Sequence, residues 1–217
     1  MGAVRTTFAV ALLVGLSLVL APREGSAGGP SPGVSIVPKR IALVGSRAGA
    51  PDAFGLFTVV VNDRFGSPIN GASVVIDLSG CSDLALCSNQ LDAAATVNCA
   101  AKTTRKFTDV SGRVSIIVLG SSNGVRNATT LLNGAKIYAN GALIGSPTAA
   151  AFDLDGANGV GINDLTVWLN DFGTDGNPAF GRSDFDGDGA VDINDLSVWL
   201  SEFGSSRSTS SCPTSCP

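Results

Sequence analysis

Short apolar runs separated by turn residues dominate the middle of the chain, from residue 34 to residue 150. Valine and isoleucine are frequent in these runs, whereas glycine, asparagine and aspartate are frequent between them, as in the hairpin dipeptide Asn140-Gly141. Such runs are typical of strands, and no helical period interrupts them. The pattern predicts an all-β sandwich of about seven strands. The predicted strands are 56–61, 73–78, 114–119, 136–139 and 142–144, with weaker candidates at 34–36 and 41–44.

The C-terminal part contains a tandem repeat, in which residues 153–173 recur as residues 184–204. Each copy begins with an acidic loop and continues into a segment whose apolar residues have helical spacing. Trp168 in the first copy corresponds to Trp199 in the second. Because so small a unit has few other residues to fill its interior, we expect both tryptophans in the core rather than at a binding surface.

Charge divides the chain into two parts with different composition. Residues 28–150 carry ten basic and six acidic side chains, whereas residues 151–204 carry eleven acidic side chains and one basic one, Arg182. The formal net charge changes from +4 to −10, which predicts a domain boundary near residue 150. Residues 205–217 are rich in serine, threonine and proline, and are predicted to form a disordered tail.

The first residues have the pattern of a secretory signal peptide. Arg5 precedes an uninterrupted apolar run at residues 8–20, and small residues follow at 25–27. The run is shorter than the roughly 20 residues that a membrane-spanning helix needs, so it predicts a cleaved signal over residues 1–27 and no membrane span. We therefore expect a secreted or cell-surface protein.

Composition excludes several classes of function. The chain has no histidine, which excludes Ser/His/Asp and Cys/His nucleophile activation as well as histidine-ligated metal sites. Its formal net charge of −4 gives no basic patch of the kind that nucleic-acid-binding proteins show. Neither enzymes with histidine chemistry nor nucleic-acid partners are expected.

The five cysteines form two groups, three at residues 81, 87 and 99 and two at residues 212 and 216. Export makes disulfides permissible, and the spacing favours one bond within the first group and one small loop at the tail. One thiol is then left over or pairs between chains. Without histidine to activate a thiolate, structural disulfides are the favoured interpretation.

The second acidic loop, residues 184–195, has the spacing of a calcium-binding loop. A hard cation takes six to eight oxygen ligands, which a 12-residue loop supplies from positions 1, 3, 5, 7, 9 and 12 around a glycine at position 6. Gly189 occupies position 6. Without a cation, five aspartates in this loop would repel one another. The predicted ligands are Asp184, Asp186, Asp188, the carbonyl of Ala190, Asp192 and Asp195.

The first acidic loop, residues 153–164, matches the same pattern less well. Position 5 is Ala157 and position 9 is Gly161, so two carboxylates are missing. Asn158 stands at position 6, where asparagine tolerates the left-handed conformation that the turn requires. We expect this site to bind calcium more weakly or to be empty. Its predicted ligands are Asp153, Asp155, Asn158, Gly159 and Asp164.

The duplicated loop and helix resemble a type I dockerin over residues 151–204. This resemblance implies an all-α module that binds a cohesin-like module and attaches its chain to extracellular polysaccharide-degrading complexes. It also implies that loop positions 10 and 11 contact the partner; these residues are Ile162 and Asn163 in the first copy, and Ile193 and Asn194 in the second. Similar modules in other bacteria have a different partner or dock onto their own neighbouring domain.

Two motifs in the β-rich part resemble bacterial immunoglobulin-like domains of the invasin and intimin type. They are residues 63–74, Asp-Arg-Phe-Gly-Ser-Pro-Ile-Asn-Gly-Ala-Ser-Val, and residues 108–114, Thr-Asp-Val-Ser-Gly-Arg-Val. The resemblance implies a spacer, adhesive or carbohydrate-contacting role. The predicted fold class is therefore multidomain: an all-β immunoglobulin-like sandwich at 28–150 followed by a small all-α dockerin-like module of two calcium loop-helix repeats at 151–204.

Three functional hypotheses follow. The favoured one is a secreted, non-catalytic calcium-binding protein that docks onto a cohesin-like partner. The second is a structural or adhesive surface protein, with contact to polysaccharide or cell surface, in which calcium only stabilises the chain. The third is a glycoside hydrolase subunit, which would need a suitably spaced pair of acids. It is disfavoured because residues 28–150 contain six aspartates and no glutamate.

Overall fold

A computed structural model describes residues 28–124, 133–173, 181–212 and 214–216 of the chain. The predicted signal peptide, residues 1–27, lies outside the described residues. Within the described ranges, no helix has both the length and the apolar character needed to cross a membrane.

Strands make up most of the regular structure in the described part of the chain. The two α-helices there are short, α1 (Ile162–Asp171) and α2 (Ile193–Ser201), with 3₁₀ turns at Ala53–Gly55 and Gly181–Ser183 and a π-helical turn at Glu202–Ser206. The strands are β1 (Arg40–Val44), β2 (Ser46–Arg47), β3 (Ala50–Pro51), β4 (Phe57–Val60), β5 (Ser73–Asp77), β6 (Leu84–Leu86), β7 (Thr96–Asn98), β8 (Thr103–Phe107), β9 (Arg113–Ile116), β10 (Val118–Ser122), β11 (Lys136–Ala139), β12 (Ala142–Gly145) and β13 (Thr148–Ala151).

Two larger sheets contain most of these strands. The outer sheet is antiparallel, in the order β12-β11-β5-β8-β7, and the central sheet has the order β13-β1-β10-β6. In the central sheet, β1 pairs in parallel with both β10 and β13, while β6 pairs antiparallel with β10. Two further pairs, β2–β3 and β4–β9, are antiparallel.

The central sheet is buried on both faces. Successive side chains of a strand point to opposite faces, and in β1 the side chains of Ile41 and Leu43 pack with those of the outer sheet. Ala42 and Val44 belong instead to a second core, which includes Trp168 and Trp199 from the two helices. The molecule therefore has three layers: outer sheet, central sheet, and helices with their loops.

The predicted fold class is wrong. The structure does not contain a sandwich followed by a self-contained all-α module, because the described part is mostly β and its two α-helices have only 10 and 9 residues. Helices this short cannot enclose a core of their own. They share a core with the central sheet instead, and the indole Nε1 of Trp199 donates a hydrogen bond to the carbonyl oxygen of Phe152, 3.2 Å away, just after β13.

The prediction that both tryptophans lie in the core is confirmed. Trp168 and Trp199 are each 1% exposed. The strand prediction was less complete, because β2, β3, β6, β7, β8 and β13 were missed. The run at 114–119 is divided between β9 and β10, and the run at 34–36 contributes only a bridge from Ile36 to Val60.

The predicted disulfides are also wrong, although one cysteine is left over as expected. Cys87 is bonded to Cys212 and Cys99 to Cys216, across 125 and 117 residues, and Cys81 keeps a buried free thiol. Both bonds join the β layers to the end of the chain, which residue spacing could not indicate. A cross-link of such span stabilises a fold by roughly 2–5 kcal/mol.

The predicted disordered tail at 205–217 is ordered where the structure describes it. The Ser46 N–H donates to the Ser210 carbonyl at 2.8 Å, and the Cys216 N–H donates to the Leu86 carbonyl at 2.9 Å. Backbone pairing and two disulfides fix this segment against the β layers, so its polar composition did not indicate disorder.

Candidate metal centre

Two acidic loops lie on the helical side of the central sheet. The first loop, residues 153–164, leads from the end of β13 into α1, and the second loop, residues 184–195, leads from the turn at Gly181–Ser183 into α2. Each loop begins and ends with an aspartate that is at most 1% exposed. These four aspartates are Asp153, Asp164, Asp184 and Asp195.

The last aspartate of each loop closes the loop through backbone hydrogen bonds. Asp164 Oδ1 accepts from the N–H groups of Leu154 and Asp155 at 2.6 and 2.9 Å, and its Oδ2 accepts from Gly161 at 2.6 Å. The second loop repeats this arrangement, with donors Phe185 (2.6 Å), Asp186 (3.0 Å) and Asp192 (2.8 Å) to Asp195. The sequence repeat is therefore also a repeat of geometry.

The first aspartate of each loop holds the turn. Asp153 Oδ1 accepts from the Gly156 N–H at 2.7 Å, and Asp184 Oδ1 accepts from the Gly187 N–H at 2.8 Å. At position 6 the backbone is left-handed in both loops, with φ of 63° at Asn158 and 97° at Gly189. The predicted tolerance of asparagine at this turn position is confirmed.

Carboxylate oxygens converge in each loop. In the first loop, one carboxylate oxygen each from Asp153, Asp155 and Asp164 lies within 4.8 Å of the other two. In the second loop the corresponding set is Asp184, Asp186 and Asp188. Two clusters of acidic residues, each with buried members, could therefore hold a metal ion, and their all-oxygen donor sets suit a hard cation.

Other predicted ligands have different surroundings. Asp195 lies outside the converging set of the second loop, and Asp192 serves as the N-cap of α2 by accepting from the Asn194 N–H at 2.7 Å. The Ala190 N–H donates to Asp188 Oδ1 at 2.9 Å, which turns the loop at position 7. In the first loop Asn158 is exposed and the Gly159 N–H faces Ser211.

Burial makes the buried carboxylates harder to ionise. It raises the pKa of Asp153 and of Asp195 to about 6 each, and it raises the pKa of Asp164 and of Asp184. Neighbouring carboxylates in the same loop raise each pKa further. A bound cation would oppose both effects, because it favours the ionised form.

Each loop touches the edge of the β layers through a glycine. In the second loop, a Cβ on Gly187 would lie 3.2 Å from the Arg40 Cβ, at the start of β1. In the first loop, a Cβ on Gly156 would lie 2.5 Å from the Ser122 carbonyl oxygen at the end of β10, and the Ser122 N–H donates to the Asp153 carbonyl at 2.8 Å. Both candidate sites are thus built partly on the central sheet.

Arg182 and Ser211 are residues of this region that the sequence did not indicate. Arg182 is 1% exposed, and its guanidinium pairs with Asp171 at 2.9 Å and with Asp83 at 3.4 Å. It joins the end of α1 to the loop before β6. Arg182 stands out in the sequence as the one basic residue of an acidic segment. Its partner Asp83, however, lies 99 residues earlier in the sequence, so their contact could not be predicted.

The residues predicted to contact a partner lie on the surface. Ile162 and Ile193, at the start of α1 and α2, are 66% and 62% exposed. Asn163 and Asn194 follow them and are also exposed. The two copies therefore present equivalent apolar and amide side chains to solvent.

Comparisons of this chain with models of protein families, with curated proteins and with solved structures found no match. The resemblances to dockerins and to immunoglobulin-like domains therefore depend on sequence motifs alone. What the chain does must be inferred from its two acidic loops and the surfaces around them.

Proposed function

We propose that this chain is a secreted, non-catalytic protein that binds Ca²⁺ in its two acidic loops and uses the ions to hold the helical layer on the central sheet. The observation that carries this proposal is the repeated loop geometry, in which three carboxylates converge within 4.8 Å in each copy. Calcium fits better than magnesium, because a flexible 12-residue loop of carboxylates and carbonyls suits its larger and less regular coordination sphere.

The energetic role of the ion follows from burial and like charge. Asp153 and Asp184 are 0% exposed, and each lies beside other carboxylates of its loop. Buried like charges repel strongly and lose hydration, and a divalent cation offsets both costs. Calcium should therefore stabilise the packing of the loops, and of the helices that follow them, against the β layers.

A calorimetric titration of the full chain with calcium tests this proposal. Asp155→Asn and Asp186→Asn form a matched pair, because both residues occupy position 3 and are half-buried. We expect two binding events in the native chain, each weakened by roughly tenfold or more by the substitution in its own loop. Asp77→Asn, in β5, is the control and should change neither event. No calcium binding at millimolar concentration would contradict the proposal.

The surroundings of the other aspartates support a non-catalytic role. Those in the β layers serve as turn caps or ion-pair partners, and Asp52, which lies beside Glu202, is 4% exposed rather than open to a cleft. Asp63 accepts from the N–H groups of Phe65 and Ser67, and Asp92 pairs with Lys106 at 2.7 Å. Three more accept a hydrogen bond from a backbone N–H two residues further on: Asp52 from Phe54, Asp77 from Ser79 and Asp109 from Ser111. Asp83 forms an ion pair with Arg182.

Two disulfides support export, because such bonds persist in oxidising compartments and are rare in the cytosol. Cys87–Cys212 and Cys99–Cys216 both connect segments more than a hundred residues apart. A secreted location agrees with the signal peptide that the sequence predicts.

A second function, docking onto a cohesin-like module, is favoured by the exposed apolar residues of the two helices. Besides Ile162 and Ile193, Leu169 in α1 and its counterpart Leu200 in α2 are 59% and 48% exposed. Exposed apolar residues on helices are typical anchors for a protein partner. Because the two sets are equivalent, one partner could bind either helix, in a context such as extracellular polysaccharide degradation.

Binding to purified cohesin modules, with and without calcium, tests this docking function. We expect Ile162→Asp and Ile193→Asp each to leave binding in place, because the other copy remains, and the double variant to abolish it. Leu143→Asp, at an exposed apolar site in β12, is the control. If calcium binds but no cohesin does, the docking function is wrong and a structural or adhesive surface role remains.

A further inference from the structure

The C-terminal tail, defined here as Ser208–Cys212, lies between the β layers and the first acidic loop. On one side the Ser46 N–H donates to the Ser210 carbonyl at 2.8 Å, and on the other the Val160 N–H donates to the Ser208 carbonyl at 3.0 Å. Glycines face the tail on both sides, since a Cβ on Gly45 would clash with the Ser210 backbone and one on Gly159 with the Ser208 backbone. Because only glycine allows these two close approaches, the backbone of the tail packs directly against both neighbouring segments.

Ser211 extends from this tail to the candidate metal ligands. Its hydroxyl donates a hydrogen bond to Asp153 Oδ2, and its oxygen accepts from the Gly159 N–H at 3.3 Å. Asp153 is the fully buried first ligand of the loop, 58 residues away in sequence. A side chain from outside the repeat thus contacts the site directly.

The contact compensates for what the first loop lacks. Position 5 is Ala157 here and Asp188 in the second loop, so the first loop has one carboxylate fewer at that point. The Ser211 hydroxyl donates its proton to Asp153 and accepts from the Gly159 N–H, so one of its two oxygen lone pairs remains available to a cation. Ser211 therefore stands where a neutral oxygen could replace the missing carboxylate.

A disulfide fixes the tail next to this serine. Cys212, adjacent to Ser211, is bonded to Cys87, which is 0% exposed and whose N–H donates to the Leu119 carbonyl of β10 at 3.0 Å. The cross-link holds the tail against the central sheet. The position of Ser211 is therefore fixed from one side by a covalent bond and from the other by the loop.

We propose that the tail is part of the first calcium site, with Ser211 Oγ as an oxygen ligand, and that the Cys87–Cys212 disulfide controls the affinity of that site. The proposal rests on calcium binding by the loops. Reduction by a dithiol breaks the S–S bond: two electrons and two protons convert Cys87 and Cys212 to thiols, and the reductant becomes a disulfide. The freed tail then withdraws Ser211, so the first site weakens while the second does not.

Calcium calorimetry on four versions of the full chain tests this proposal. All carry Asp186→Asn and Asp188→Asn, so that binding reports on the first loop. The versions have the native tail, Ser211→Ala, Cys87→Ser with Cys212→Ser, or Cys99→Ser with Cys216→Ser as the matched control. We expect the second and third to bind calcium about 10–100-fold more weakly, the range found when groups supporting a metal site are removed. The control should retain the affinity of the native tail.

Ser211→Thr serves as a second variant that keeps the fold and the hydroxyl, and should restore binding lost in Ser211→Ala. Equal affinity in Ser211→Ala and the native tail would overturn the proposal and leave calcium binding intact. If the first loop binds no calcium in any version, the proposal is overturned as well. Titration of the chain with an intact second loop then distinguishes failure of this site from failure of calcium binding altogether.

Discussion

Glu202, directly after α2, has its carboxyl group buried beside Asp52. Burial raises the pKa of Glu202 to about 8, the nearby Asp52 charge adds to this rise, and the hydrogen bond from the Ser208 N–H, at 3.0 Å, opposes it. Ser208 also donates its hydroxyl to Asp52 Oδ2 at 3.1 Å, so the same serine contacts both acids. The tail is thus seated on a pair of buried carboxyl groups.

We predict that Glu202 makes the fold less stable as the pH rises. Because its pKa in the folded chain, about 8, lies above the ordinary value of 4.5, the folded state holds the proton more tightly than the unfolded state. The contribution of Glu202 to the free energy of unfolding is therefore full below pH 4.5 and decreases as the pH rises towards 8. The decrease is at most about 1.4 kcal/mol per pH unit. Glu202→Gln should remove this slope and be more stable than the native chain above pH 8.

Denaturant unfolding at several pH values, with saturating calcium, measures the effect. Asp77→Asn is the control and should keep the native slope. An unchanged pH dependence in Glu202→Gln would show that this carboxyl group does not titrate as the structure indicates.

Single residues were predictable where the cause is local. The left-handed turn at Asn158 follows from its loop position, and its φ of 63° agrees. Ser211, Glu202 and Arg182 were not predictable, because each acquires its role from a residue far away in sequence. Glu202, for example, lies beside Asp52, which is far away in sequence.

At the scale of elements, the two helices differ in how they begin. Asp192 caps α2 with its side chain, whereas Gly161 occupies the same place before α1 and offers none. Both residues have extended backbone, with φ of −135° and −137°. A Cβ on Gly161 would meet nothing closer than 3.8 Å, so the position has room for a side chain.

Exchanging these two residues should change the two sites in opposite directions. Gly161→Asp adds both a helix cap and a carboxylate at position 9, so we expect the first loop to bind calcium roughly tenfold more tightly. Asp192→Gly removes both features and should weaken the second loop by a similar factor. Calcium calorimetry measures both, and equal shifts in the same direction would contradict the equivalence of the loops.

Strands were predictable where one face is apolar, as in β5, and less so elsewhere. β13 is the sequence Thr-Ala-Ala-Ala, fully buried, and carries no strand signal of its own. It is a strand because β1 pairs with it in parallel on one side and the helices cover it. Continuous burial of β1 and β10 is typical of strands covered on both faces, and this signal was present in the apolar run 41–44.

At the scale of the whole molecule, the change of charge near residue 150 does not separate two independent folding units. Phe152 and Phe185 stack with ring centroids 4.8 Å apart, and Phe54 from the β layers packs edge-on against Phe152 at 5.3 Å. Composition reports on the surface of a segment, whereas these contacts decide what it packs on. The sequence therefore indicated the acidic loops well and the three-layer arrangement poorly.

The central claim is that calcium holds the helical layer on the central sheet. Trp168 and Trp199 lie in that interface, so their fluorescence reports on its packing. The most direct measurement is thermal unfolding of the full chain, monitored by tryptophan fluorescence, once with calcium and once with a chelator. The double variant Asp155→Asn with Asp186→Asn is measured in the same way. Calcium should raise the melting temperature and keep both tryptophans buried in the native chain, and do neither in the double variant. Identical unfolding of the native chain with calcium and with chelator would contradict the claim.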